Sequence, residues 1–255
     1  MTILYDTQSL FQRGLSKLVG NPTLLATNLV EPLFFLLIFS QVFQKLGDFL
    51  PGEPGGYLAY LTPGVLIMCA AITSPQGGVS ITNDLNSGFL SKILLTQVSR
   101  PAILLGRLLT DMSIVVAQSL VTIIVAFAMG VRISSGLPGV LLILLTVAFF
   151  ELALSGLFLA IGMRTRKPEN ISALSGFLYL PLIFFSSALF PTSFFPSWMQ
   201  TISNYNPVSY ASNVTRELVL GGLTFSTLAS AYALIGIIAI VTFAATLYQF
   251  RRVIS

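Results

Sequence analysis

The sequence predicts an all-α, polytopic membrane protein with six transmembrane helices and both termini in the cytoplasm. Three observations predict it. Hydrophobic residues make up 55% of the chain and charged ones only 9%, where a soluble domain carries about 25% charged residues; the mean hydropathy is +0.87. Six apolar stretches each reach the roughly 20 residues that a helix needs to cross the hydrocarbon core. The basic residues gather on alternate loops. Arg13, Lys17, Lys92, Arg100, Arg107, Arg164, Arg166, Lys167, Arg251 and Arg252 fall on one side, and Lys45, Arg132 and Arg216 on the other, ten against three. Such a bias marks the cytoplasmic side. The 255 residues are used up by six spans and short loops, so residues 1–255 read as a single transmembrane domain.

Composition also excludes chemistry. Histidine is absent and Cys69 is the sole cysteine, which removes imidazole catalysis, an intrachain disulfide and a thiolate metal cluster. No G-x-x-x-x-G-K-[ST] run occurs, so no phosphate-cradling loop is present. No cofactor is expected on this chain. The net charge of +4 is read through its position on loops, and no nucleic-acid partner is expected.

Taken in order, residues 1–20 lack the apolar core and cleavage site of a signal peptide. Leu4, Phe11, Leu15 and Leu18 fall on one face, with Asp6, Ser9, Arg13 and Lys17 opposite, which predicts a helix lying in the membrane interface. Span 1 is expected from about Thr23 to Phe43, interrupted at Glu31-Pro32, and a turn-rich loop from Lys45 to Gly56 follows. Span 2, about Tyr57 to Thr82, holds Pro63 and Pro75 and is expected to bend or unwind. Residues 83–100 are too short and polar to span. Asn83 or Asp84 is placed to cap a helix, Leu85, Phe89 and Ile93 recur at four, as do Leu90, Leu94 and Val98, and Ser99-Arg100-Pro101 stops the run. Span 3 is about Ala102 to Gly130 and span 4 about Gly139 to Gly162; the basic loop Met163 to Asn170 leads to span 5.

Span 5 runs from Ile171 to Phe190 with Pro181 inside it, and the chain then breaks at Pro191 and Pro196. Residues 191–217 predict a broken, partly amphipathic element, with Trp198, Tyr205 and Tyr210 of the ring types that settle at headgroup depth. A plain structured loop remains open on spacing alone. Span 6 is expected from about Thr227 to Phe250.

The pattern Pro181, Ser186-Ser187, Phe190-Pro191, Pro196-x-Trp198, Asn206-Pro207 and Tyr210 resembles the C-terminal signature of ABC-2 type transporter permeases, of the branch that includes the daunorubicin-resistance exporters. The resemblance implies a type V exporter-like fold in which residues 1–20 form a connecting helix and 83–100 a coupling helix that docks on a separate ATP-binding subunit. Asp84, Phe89, Leu90, Leu94, Ser99 and Arg100 would make that contact, with Phe89, Leu90 and Leu94 as exposed apolar anchors; Asn83-Asp84 stands where many relatives carry a paired acidic stretch. It further implies a second permease copy as partner, ATP and magnesium bound on the ATP-binding subunit, a pathway or dimer seam bordered by spans 1, 2 and 5, and an external gate at 191–217. Pro181, Phe190, Pro191, Trp198, Asn206 and Pro207 are the gate candidates.

Intramembrane charges are read with two alternatives each. Glu151, half-way along span 4, is either a pathway or proton-linked group or a protonated or hydrogen-bonded glutamate at a helix contact. Glu31 in span 1 poses the same choice. Arg107 and Asp111 are four apart and are expected to pair locally. The function this implies is the membrane subunit of an ATP-driven exporter of an amphipathic drug, lipid or lipid-linked glycan, in the cell membrane, with no enzymatic activity of its own. An ATP-independent carrier or channel is the alternative. An intramembrane enzyme is disfavoured by the missing histidine and the absence of clustered carboxylates.

Overall fold

A computed structural model describes residues 3–20, 22–49, 55–95, 98–221 and 225–253; helices account for nearly all of them. The bundle is built around α4 (Gly56–Asn86), with α6 (Arg100–Ala128) and α7 (Gly136–Thr165) against it. Leu61 and the run from Val65 to Ala70 are fully buried, so α4 is apolar all round and has no lipid face along much of its length. At 31 residues it is about 46 Å long at 1.5 Å per residue, longer than the roughly 30 Å hydrocarbon core.

The helix does not unwind at its prolines: α4 is continuous through Pro63 and Pro75. The hydroxyl before each proline bonds back into the helix, and Ser74 alone of the two reaches the carbonyl, Ala71, that its proline leaves without a donor. Thr62 Oγ1 donates to the Leu58 carbonyl at 2.8 Å, and Ser74 Oγ donates to Ala70 at 2.7 Å and, more weakly, to Ala71 at 3.5 Å. Gly64 and Gly78 let other backbones approach, the first against Ala188 and the second against Phe158.

Span 1 also departs from expectation. α2 (Pro22–Phe34) passes through Glu31-Pro32 without a break, and the irregularity comes later, as a π-helical turn Phe35–Phe39 before the short α3 (Ser40–Val42). Phe35, Phe39 and Phe43 stack in succession there, with ring centroids 4.6 and 5.4 Å apart.

Among the described residues four helices are long and apolar enough to cross a membrane: Gly56–Asn86, Pro101–Ala128, Gly136–Thr165 and Tyr232–Gln249, the last within α11 (Phe225–Val253). Ala26–Val42 is a shorter apolar run, and α8 (Pro168–Phe184) has 17 residues, ending six residues before the predicted end of span 5 at Phe190. At one end of the bundle, the foot, lie α1 (Ile3–Val19) and α5 (Phe89–Leu94). At the other, the cap, the chain forms a 3-10 turn Thr192–Phe194, α9 (Ser197–Tyr205) and α10 (Pro207–Leu220), the broken element predicted there. α10 folds back onto α4 and α7 and is mostly buried.

Candidate functional site

The foot arises where α4 stops. Ser87 Oγ donates to the Asp84 carbonyl at 3.3 Å, Gly88 takes φ +71°, and α5 starts in the next residue. Asp84 therefore sits in the last turn of α4 and does not cap a coupling helix. Leu90 is 2% exposed and belongs to a small core with Ile81, Leu104, Leu108 and Met163. Phe89 lies beneath the Arg13 guanidinium, 3.6 Å from the ring centroid, which staples α1 to α5.

The expected exposed anchors are thus corrected: Leu90 and Phe89 turn inward because the apolar face of α5 finds α4, α6 and α1 beneath it. What α5 exposes is Lys92 and, just beyond it, Leu95 at 89%. The side chains of Leu94 and Arg100 lie outside the described ones. Ser99 precedes α6 in extended backbone, its Oγ buried without a hydrogen bond. α1 packs closely along α6, Leu10 meeting Gly106 and Gly14 meeting Thr110. A cavity of about 50 Å³ remains between Leu10, Arg13, Asp84, Phe89 and Arg107.

From the foot a polar seam runs up between α4, α6 and α7. Arg107 and Asp111 pair as predicted, Nη2 to Oδ1 at 2.9 Å, as an ion pair without hydrogen-bond geometry at that oxygen. The structure adds partners across helices. Arg107 Nη1 donates to Ser80 Oγ at 2.8 Å, and Ser155 Oγ donates to Asp111 Oδ2 at 3.2 Å. Higher up, Thr73 Oγ1 donates to Gln118 Oε1 at 2.8 Å, and Cys69 meets Thr122 at 3.8 Å. Glu151 lies one helical turn along α7 from Ser155, fully buried, with neither carboxyl oxygen hydrogen-bonded. Glu151 is thus packed at the helix contact with no hydrogen-bond partner among the described residues.

The cap is tied together by a network of hydrogen bonds. Arg216 is 8% exposed, and its Nη2 donates to the Ser187 carbonyl at 2.8 Å, its Nη1 to Asn213 Oδ1 at 2.8 Å; the guanidinium also lies 3.7 Å over the Tyr60 ring. Tyr57 and Tyr60 hydroxyls donate to the Leu189 and Ser187 carbonyls at 3.0 and 2.9 Å. Asn206 caps α10 by accepting from the Val208 amide at 2.9 Å. Its Nδ2 donates to the Leu182 and Phe185 carbonyls at the end of α8, at 2.8 and 3.0 Å. Asn206 is thus the hinge pin between the two helices. Pro207 starts α10 where no donor is needed.

Phe190 packs edge-on to Phe43 and stacks near Tyr57, and Trp198 is 58% exposed with its edge on Phe185. Pro191 leads the 3-10 turn, and Pro181 lies exposed in the last turn of α8. Sequence reading missed Arg216, counting it only as a loop charge, and missed Tyr57 and Tyr60. Their spacing of three on one helix face, opposite a segment broken by prolines, was the available signal.

Residues 5–220 match the ABC-2 type transporter family. The chain belongs to the ABC-2 type transporter family. The permease is 30% identical over 204 residues to the daunorubicin resistance ABC transporter permease protein of Streptomyces coeruleorubidus, covering 80% of this chain and 71% of that one. It is 25% identical over 209 residues to the linearmycin resistance permease protein of Bacillus subtilis, covering 82% of this chain and 53% of the relative. It is also 25% identical over 179 residues to ABC transporter G family member 20 of Dictyostelium discoideum, covering 68% of this chain and 24% of the relative. Permeases of this family are the multi-pass membrane subunits that work with an ATP-binding subunit, on which ATP hydrolysis resides.

Proposed function

We propose that this permease is the membrane half of an ATP-driven exporter of an amphipathic molecule, with six spans, the foot in the cytoplasm and the cap outside. The observation that carries the reading is the construction of the foot. α1 is locked onto α6 along Gly106 and Gly14, and α5 is stapled to α1 through Arg13 and Phe89, so a load on α5 is passed to α6 and the polar seam. Asp84, Ser99 and Arg100 flank the exposed Lys92 and Leu95 and, with the backbone of Leu94, form the docking edge for an ATP-binding subunit, which carries ATP and magnesium. A second permease copy completes the pathway, and the cap of Phe190, Pro191, Trp198, Asn206 and Pro207 serves as its external gate.

With Arg107 and Arg216 set aside because their side chains sit in the seam and in the cap, nine basic residues remain on the foot side and two, Lys45 and Arg132, on the other, and the bias persists. The substrate class favoured is amphipathic, since resistance permeases are among the relatives and the intramembrane surfaces are apolar with few charges. Glu151 is the proton-linked candidate of the seam.

The test is co-purification of the ATP-binding subunit with the Lys92→Glu, Leu95→Asp double variant, followed by substrate-stimulated ATP hydrolysis. Loss of both, with the permease still folded and inserted, is expected; an intact coupled complex would move the docking edge elsewhere. Orientation is read on a Cys69→Ala background, where a cysteine at Lys45 reacts in intact cells and one at Lys167 only after permeabilisation. Labelling of both from one side defeats the six-span arrangement. Glu151→Gln is expected to keep protein level and complex assembly and to lower export.

A further inference from the structure

The seam and the foot leave one intramembrane carboxylate unused. Glu31, in the last turn of α2, faces a groove between α2, α4 and α8, a cavity of about 160 Å³ open to the side of the bundle. Its Oε1 accepts from the Tyr179 hydroxyl of α8 at 2.7 Å, and Oε2 has no protein partner among the described residues. A carboxylate at this depth is costly without a counter-charge.

The opposite wall adds a second acceptor. Pro75 lines the groove and has no N–H, so the carbonyl of Ala71, on the same wall, loses its helical donor and keeps only the Ser74 hydroxyl at 3.5 Å. Gly176 leaves the α8 side open, since a Cβ there meets nothing within 4 Å. The groove thus presents a carboxylate and a freed carbonyl, with an aromatic ring beside them, and offers no cation. A second copy applied through the same face supplies none. Glu31 and Glu169 are the charged residues of α2 and α8, so a two-fold seam would bring a second carboxylate.

We propose that this groove seats the primary ammonium head of a cationic amphipath, with Glu31 as counter-ion, Ala71 carbonyl as second acceptor and Tyr179 orienting the carboxylate. The cavity has room for a head group, and Phe34 of α2 with Phe177 and Leu180 of α8, all more than half exposed on helices that border it, offer apolar surface for the body. This deepens the exporter reading and rests on it.

The experiment uses the permease with its ATP-binding subunit in phosphatidylcholine nanodiscs, titrated with dansylcadaverine and with its N-acetyl derivative, which is neutral and otherwise alike. Glu31→Gln, which still accepts from Tyr179, is expected to weaken the amine about tenfold or more and leave the acetylated probe unchanged. Tyr179→Phe should weaken the amine less. Competition by added phosphatidylethanolamine would assign the ammonium to a lipid; its absence assigns it to an exported solute, and both support the seat. Equal amine binding by wild type and Glu31→Gln overturns it, as does loss of permease self-association in Glu31→Gln, which would make the groove part of a seam between copies. If the exporter reading itself fails, no ATP-binding subunit accompanies the wild type. If only the seat fails, ATP-coupled transport persists with no selectivity for the amine.

Discussion

The cap and the foot solve the same problem, a break between helices at a bundle end, in opposite ways. At the cap, α8 ends at Phe184 and the chain reaches α10 through α9, and the freed carbonyls at the end of α8 and in the stretch after it are gathered by Arg216, Asn206, Tyr57 and Tyr60. At the foot, α4 and α5 are separated only by Ser87-Gly88, and the join is held by apolar packing of Leu90 and one cation–π contact over a small cavity. Buried hydrogen bonds are directional and costly to break, whereas packing and a cation–π contact yield in small steps. The difference teaches that the cap is tied by directional bonds into one piece, while the foot is held by packing that can give.

The sharpest way to break this comparison is Arg216→Ala. It removes two charge-assisted hydrogen bonds, to the Ser187 carbonyl and to Asn213, which keep the Tyr60 and Ser187 hydroxyls as donors; at about 1.5–3 kcal/mol each the loss should total about 3–5 kcal/mol, seen as a large fall in Tm and in yield of detergent-solubilised protein. A Tm near wild type would mean the cap network is not what holds the three helices.

Leu90→Ala comes next. As a fully packed core residue it should cost about 2–3 kcal/mol in thermal unfolding of the permease without any partner. If Leu90 were instead a docking anchor, the isolated permease would keep its Tm and only subunit affinity would fall.

Gly64→Ala probes the rigidity of the cap from α4. The added methyl meets the backbone of Ala188, which no rotamer change relieves, so a loss of about 1–3 kcal/mol is expected, with faster hydrogen exchange across 186–190. The smallest effect is predicted for Arg13→Ala. It should cost about 0.5–1 kcal/mol, leave Tm nearly unchanged, and raise hydrogen exchange in α1 and α5 only. Exchange spreading into α10 would erase the distinction between the two ends.

Much of this arrangement was legible in the sequence. Hydropathy and length placed the helices, because apolar runs of this length have few alternatives to crossing a membrane. Span 3, expected from Ala102 to Gly130, is the helix Arg100–Ala128, and the breaks at Pro191 and Pro196 fall between elements, because proline's missing donor acts locally. The Arg107–Asp111 pair was readable for the same reason, being one helical turn apart.

Only the tertiary structure decided the rest. Whether α4 continued through Pro63 and Pro75 depended on the neighbours that bury it and, at Pro75, on the Ser74 hydroxyl turning to the Ala71 carbonyl. Whether Leu90 faced a partner or its own core depended on α1, α4 and α6 converging beneath α5, contacts between residues far apart in the chain. Periodicity identifies an apolar face and is silent about what covers it. The partners of Arg216 lie at Tyr60 and Ser187 and the donor to Glu31 at Tyr179, and no local pattern in the sequence joins them.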